Sequence, residues 1–125
     1  MLRYAALIEE AQGRRFEWGA WDCCQFAARD VEAVTGRDPR ELFPPYTSEA
    51  EAESIIAECG GMQELITRAL GESVQPSRAM RGDIVLCDMG RGLQPAVCTG
   101  VYCVAPGARG LERRASLDAL AAWNL

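Results

Sequence analysis

The spacing of apolar and polar positions changes once along the chain. Up to about residue 70 the apolar residues recur at helical intervals; beyond residue 82 they run in short, strand-like stretches. Leu2, Ala5, Ala6 and Ile8 stand against Arg3, Glu9, Glu10 and Gln12, which predicts a helix over 2–12 ended by Gly13. Asp22, with Gln25 three residues on, has the form of a capping box. It opens a second helix that runs to about Thr35 and stops at Gly36. The apolar stripe of that helix, Cys24, Ala27, Ala28, Val31 and Val34, puts Cys24 in the core and Cys23 to one side. Pro39, Pro44 and Pro45 make 37–46 a loop. Ser48 and Glu51 form a second capping box, so a third helix starts near Thr47 or Ser48. It buries Ala52, Ile55, Ile56 and Cys59 and ends at Gly60-Gly61. Met62 to Leu70 is a short fourth helix with Leu65, Ile66 and Ala69 inward, closed by Gly71.

The remainder predicts strands at 83–88, 96–104 and about 110–115. Gly90, Gly92 and Pro95 fall in the first connection and Pro106-Gly107 in the second. Ser116 caps a last short helix over 117–123. Helices first and strands second, joined by hairpin-length connections, give an α+β fold. The N-terminal helices pack on a small antiparallel β-sheet of at least three strands. Residues 1–125 form one domain, without repeats or a linker.

Composition narrows the partners. With 49% hydrophobic and 25% charged residues the chain is an ordinary globular one. Its net charge of -5 offers no basic patch for nucleic acid and no attraction to an anionic membrane surface. No run reaches the roughly 20 apolar residues of a membrane span. The first fifteen residues are amphipathic rather than a signal peptide, so the expected location is the cytoplasm, when synthesised. All thirteen basic residues are Arg, which, with the abundant Ala, points to a GC-rich bacterial or phage genome.

Six cysteines, at 23, 24, 59, 87, 98 and 103, lack both the Cys-x-x-Cys spacing of a metal knuckle and the secretory context of disulfides. Packed thiols explain most of them. No metal and no cofactor is expected. Arg81-Gly82-Asp83 is a turn feeding a strand, and Gly90-Arg91-Gly92 lacks the strand-then-helix setting of a phosphate loop. Arg109, Arg113 and Arg114 suit a solvated strand face.

Cys23 carries the sharpest candidate chemistry. A thiol at a helix start meets the positive end of the helix dipole and free backbone N–H groups, both of which favour thiolate. The Asp22 carboxylate opposes this unless capping absorbs its charge. The chain contains no histidine, so a Cys-His hydrolase of ordinary type is excluded.

Three segments in order, Phe16-x-Trp18-Gly19-x-x-Asp22-Cys23, then Gly82-Asp83-Ile84-Val85-Leu86, then Thr99-Gly100-Val101-Tyr102, resemble the NlpC-type branch of the papain-like cysteine peptidases. More closely, the chain resembles a small NlpC-like family found in bacterial prophages and tailed phages, from about residue 14 to Trp123. The resemblance implies a papain-like, NlpC-like fold with a nucleophile at Cys23 and a groove lined by Trp18, Trp21 and Asp22. It also lays Cys98 on the family's histidine and puts the third polar position near Glu112 or Arg113. A thiol at 98 cannot replace imidazole, because it becomes an anion where a base is needed. The implied function is therefore a catalytically degenerate domain with a binding or tail-assembly role. Its partners would be cell-wall peptide or phage tail proteins, with virion association as one setting. Two alternatives stay open. One is a cysteine hydrolase acting on a peptidoglycan peptide or amide bond, with Glu112 as an unusual base. The other is a thiol switch or metal site built from Cys23 and Cys98.

Overall fold

Helix boundaries follow the local capping signals. In the computed structural model, which describes residues 2–125, α1 spans Leu2–Ala11, α2 Cys23–Thr35, α3 Glu49–Glu58 and α4 Met62–Leu70. Asp22 caps α2, accepting the Gln25 amide at 2.8 Å, and Gly36 ends it in the left-handed conformation at φ 80. At α3 the Ser48 hydroxyl accepts the Glu51 amide, while the Glu51 carboxylate takes Thr47 N and both hydroxyls at 3.0–3.2 Å. Gly61 and Gly71 flank α4, so its predicted limits hold. The loop 37–46 contains one 3-10 turn, Pro39–Leu42, capped by Asp38.

The described strands are β1 Ile84–Asp88, β2 Leu93–Cys98, β3 Tyr102–Gly107, β4 Gly110–Ala115 and β5 Ala121–Trp123. They form one antiparallel sheet in the order β4-β3-β2-β1-β5. The fold is thus α+β, four helices with a five-stranded antiparallel sheet.

Three expectations are corrected here. The single strand over 96–104 is a hairpin: the chain turns at 99–101, with Gly100 at φ 115 and the Thr99 amide donating to the Tyr102 carbonyl at 2.8 Å. Pro95, placed in the connection, lies inside β2. The C-terminal helix over 117–123 is a 3-10 turn, Ser116–Asp118, followed by β5. Three residues of β5 gain sheet partners on β1 there, Trp123 against Ile84, Ala122 against Val85 and Ala121 against Leu86. Tertiary pairing overrides a weak helical pattern of that length.

Alternation along the strands sends side chains to two buried faces. Ile84, Leu86, Val97, Val104 and Trp123 meet Trp21, Phe26, Ala27 and Val31 in the larger core. Val85, Cys87, Ala96, Cys98, Cys103, Ala105 and Ala122 form a second cluster of mostly small residues, joined by Cys23, Met89 and Ala119. The Trp123 indole donates to the Gly71 carbonyl at 3.1 Å, tying the last strand to the end of α4. Of the expected α3 face only Ala52 is buried; Ile55, Ile56 and Cys59 are half-buried.

Candidate functional site

The approach to α2 is fastened by one carboxylate. Asp22 is buried and holds three donors: Gln25 N and, through Oδ2, Gly19 N at 2.9 Å and the Tyr46 hydroxyl at 2.6 Å. Gly19 sits at φ 79, and a Cβ there would collide with the Tyr46 carbonyl oxygen. Asp22, expected to line a groove, is instead the tie between the approach loop, α2 and the loop before α3. The two tryptophans part company. Trp21 is fully buried, against Phe26 and beneath the Arg14 guanidinium at 3.8 Å, so it has no face to offer a ligand. Trp18 is 37% exposed and meets Phe16 edge to face at 4.8 Å.

Both paired cysteines pack inward, Cys24 against the larger core as expected and Cys23 in the second cluster. Cys23 is the buried one, packed in the second cluster, and Cys24 is half-buried with its thiol 4.0 Å from the Met62 sulfur. The stripe that faces the sheet therefore runs through Cys23, Phe26, Ala27, Asp30 and Val31.

Burial pushes the Cys23 thiol up to about 11; Arg91 opposes the rise by its charge and a hydrogen bond, while Asp22 and Glu112 add to it. At neutral pH the group is a thiol, whatever the helix dipole contributes. Arg91 reaches this place from the hairpin between β1 and β2. Its guanidinium donates to the Pro106 carbonyl at 3.1 Å, lies 3.8 Å from Glu112 Oε2 and covers the Phe16 ring at 4.7 Å. Glu112 comes from β4, opposite Ala105. Gly107 makes room for it, since a Cβ there would stand 2.5 Å from its carboxyl carbon. The Phe16 amide donates to the Gly107 carbonyl at 3.1 Å, which places the approach loop against the same strand. Cys23, Arg91 and Glu112 are thus brought together beside Phe16.

Cys98 shares the second cluster with Cys23, but its own polar contacts are with Gly100 and Ser116. The overlay on the family's histidine needs residues 99–102 inside one strand, and they form a turn. The Cys98 sulfur faces the Gly100 carbonyl at 3.5 Å and the Ser116 hydroxyl at 3.7 Å. The charged neighbours of Cys23 are Arg91, Asp22 and Glu112. All six cysteines are free. Among the described residues no three His, Cys, Asp or Glu side chains converge to hold a metal ion. Cys103 is pushed up to about 12, by burial first and then by Cys87 and Cys98, as befits packed thiols.

Sequence reasoning missed two groups. Arg91 appears only inside a Gly-Arg-Gly tripeptide, where nothing local points to Cys23. Asp30 lies on the sheet-facing stripe of α2, fully buried, and neither carboxyl oxygen has a hydrogen-bond partner among the described residues. Burial, reinforced by the nearby Asp83, pushes it up to about 8. A charged residue three and four positions from Ala27 and Phe26 on an apolar face was the available signal.

What this arrangement can do follows from its donors. Arg91 and Glu112 pair at 3.8 Å and are each about two-fifths exposed, so their outward edges can still meet a carboxylate and an amine or amide respectively. Phe16, which Arg91 covers, links them to the exposed ring of Trp18. No group present would take a proton from Cys23 as imidazole does. No helix among the described residues is long and apolar enough to cross a membrane. Comparison with curated proteins finds no match. Residues 2–125, the whole of the fold described above, match the family model described as a domain of unknown function (DUF6950), and the chain belongs to that family.

Proposed function

We propose that the chain is an NlpC-like, papain-fold domain of phage or prophage origin that binds at its former active site instead of hydrolysing there. The observation that carries this is the company of Cys23: a thiol at the start of α2, pushed up to about 11, with Arg91 and Glu112 beside it and no imidazole in the chain. A buried, protonated thiol is a poor nucleophile. The residues around it form a small mixed site of cation, carboxylate and aromatic face, suited to a short peptide that carries both charges. Cell-wall peptides have that chemistry, as do charged segments of phage tail proteins, and a role in tail assembly or at the cell wall accords with it.

Titration of the protein with soluble cell-wall peptides, followed by Trp18 fluorescence and by product analysis, tests the proposal. Expected are saturable binding, lost in Arg91→Ala, and no cleavage. Turnover by the wild-type protein that vanishes in both Cys23→Ser and Glu112→Gln would replace it with the second reading, a hydrolase using Glu112 as base. The nearness of Glu112 to Cys23 is what favours that alternative. Against it, a carboxylate raises the thiol's proton affinity, and Arg91 already engages this one.

A further inference from the structure

The half-buried state of Ile55 and Ile56 has a cause: they line a cavity. It measures about 330 Å³, is open on one side, and is bordered by α2, α3, α4, the proline-rich loop 37–46 and the edge of the sheet core at Ile84 and Pro95. Its walls are apolar, Ala28 and Val31 from α2 facing Ile55 and Ile56 of α3, with Leu65 and Ile66 of α4 closing one side. Phe43, Pro44 and Pro45 supply the outer wall. The sequence patterns the α3 and α4 residues as core, and the fold uses them as lining.

We propose that this cavity is a binding site for a small, linear, uncharged apolar molecule with one polar end, such as a medium-chain alcohol or amide. Size is the first argument. The volume is about twice the ~150 Å³ that accepts benzene in an engineered apolar cavity, room for roughly ten to twelve carbons. It also falls within the ~300–1,000 Å³ of ordinary ligand pockets. Water is a poor occupant of such walls, because each molecule needs about two to four polar partners. Polarity is the second argument. The polar lining lies on one side, at Gln25 and Tyr46, with the Cys24 thiol next to them. The Tyr46 hydroxyl is spent on Asp22 at 2.6 Å and is also met by the Gln25 side chain, which leaves the Gln25 carbonyl oxygen to accept from a ligand's hydroxyl or amide N–H. Charge is the third. Arg40 is the cation at the rim, and it is already bound to Asp38 at 2.8 Å and near Glu32 at 3.6 Å. A ligand carboxylate would have to displace both, so a neutral end fits better than an anionic one.

Calorimetric titration of the full chain with 1-decanol and, separately, decanoate provides the test, with methyl NMR spectra recorded through each titration. Expected is saturable one-to-one binding of 1-decanol, decanoate weaker by roughly tenfold or more, and shifts confined to Val31, Ile55, Ile56, Leu65 and Ile66. Ala28→Phe, which fills the space, should abolish the heat while the sheet methyls keep their positions. If that variant does not fold, Ile56→Trp closes the cavity from the opposite wall. Absence of saturable binding in the wild-type protein overturns the proposal, as do shifts centred on the exposed Val101 and Leu117. Equal affinity for decanoate overturns the uncharged class.

Discussion

Replacing Asp30 with Asn should make the protein more stable at neutral pH, and the gain should depend on pH in a defined way. The carboxyl is fully buried without hydrogen-bond partners among the described residues, and it holds its proton up to about 8, against an ordinary 3.8. In the unfolded chain the group ionises freely above its ordinary value. Between there and pH 7 folding must retain a proton that the unfolded state gives up. That spans about three pH units at about 1.4 kcal/mol each, or about 4 kcal/mol of stability lost at pH 7 relative to strongly acidic solution. Local relaxation and water entry reduce this to about 2–4 kcal/mol. The sign is that of a raised carboxyl: its contribution is most favourable below the ordinary value, declines as pH rises and levels off above about 8. Asn keeps the shape and removes the titration. Its amide also lacks partners, but that cost is independent of pH and cancels when one pH is compared with another. Urea unfolding of both proteins at about pH 4, 6, 7 and 9, with the slope m checked for constancy, measures the difference directly. Stability curves that run parallel from acid to alkali would show that Asp30 is ionised or hydrogen-bonded in the fold, and the reasoning would be wrong.

Other expectations concern the site and its fastening. Alkylation of Cys23 by iodoacetamide should stay slow at neutral pH and rise only as the pH approaches about 11, and Arg91→Ala should move that rise to still higher pH; a rate already at its plateau at neutral pH would refute both. Asp22→Ala leaves Gly19 N, Gln25 N and the Tyr46 hydroxyl without their acceptor and should cost about 2–4 kcal/mol, read by chemical denaturation. Gly19→Ala should cost a comparable amount, since the Tyr46 carbonyl must move aside; an unchanged melting temperature would contradict the close approach.

The helices were legible because their signals are local. Asp22 with Gln25, Ser48 with Glu51, and the glycines at 36, 61 and 71 act through hydrogen bonds and backbone conformations within a few residues. The hairpin at 99–101 was not, because Cys98 to Val104 is uniformly apolar apart from Thr99 and Gly100, and a two-sided buried sheet erases the alternation that marks strand ends. The same loss disguised β5, whose Ala121-Ala122-Trp123 is buried on both faces. For the site, the helix start gave Cys23 its place, and the resemblance marked Glu112, which stands near it. Arg91 could not be read, since its position depends on how the β1–β2 hairpin lies against β3 and β4. Cys24 packs against the larger core as its stripe implies, but a stripe drawn from small residues does not show that the adjacent Cys23 is buried too.

Arg91 reaches Cys23 from the tip of a hairpin, between Gly90 and Gly92, and not from the middle of a strand. The tip between the two glycines can exchange its central side chain without altering any residue of either core, since the loop's one core residue, Met89, precedes it. Two chains with the same sheet and the same helix start could therefore present a cation, a hydroxyl or a carboxylate to the thiol, and differ in what they recognise. Variation of this one tip is a means by which relatives of this domain can diverge in specificity while their scaffolds stay interchangeable.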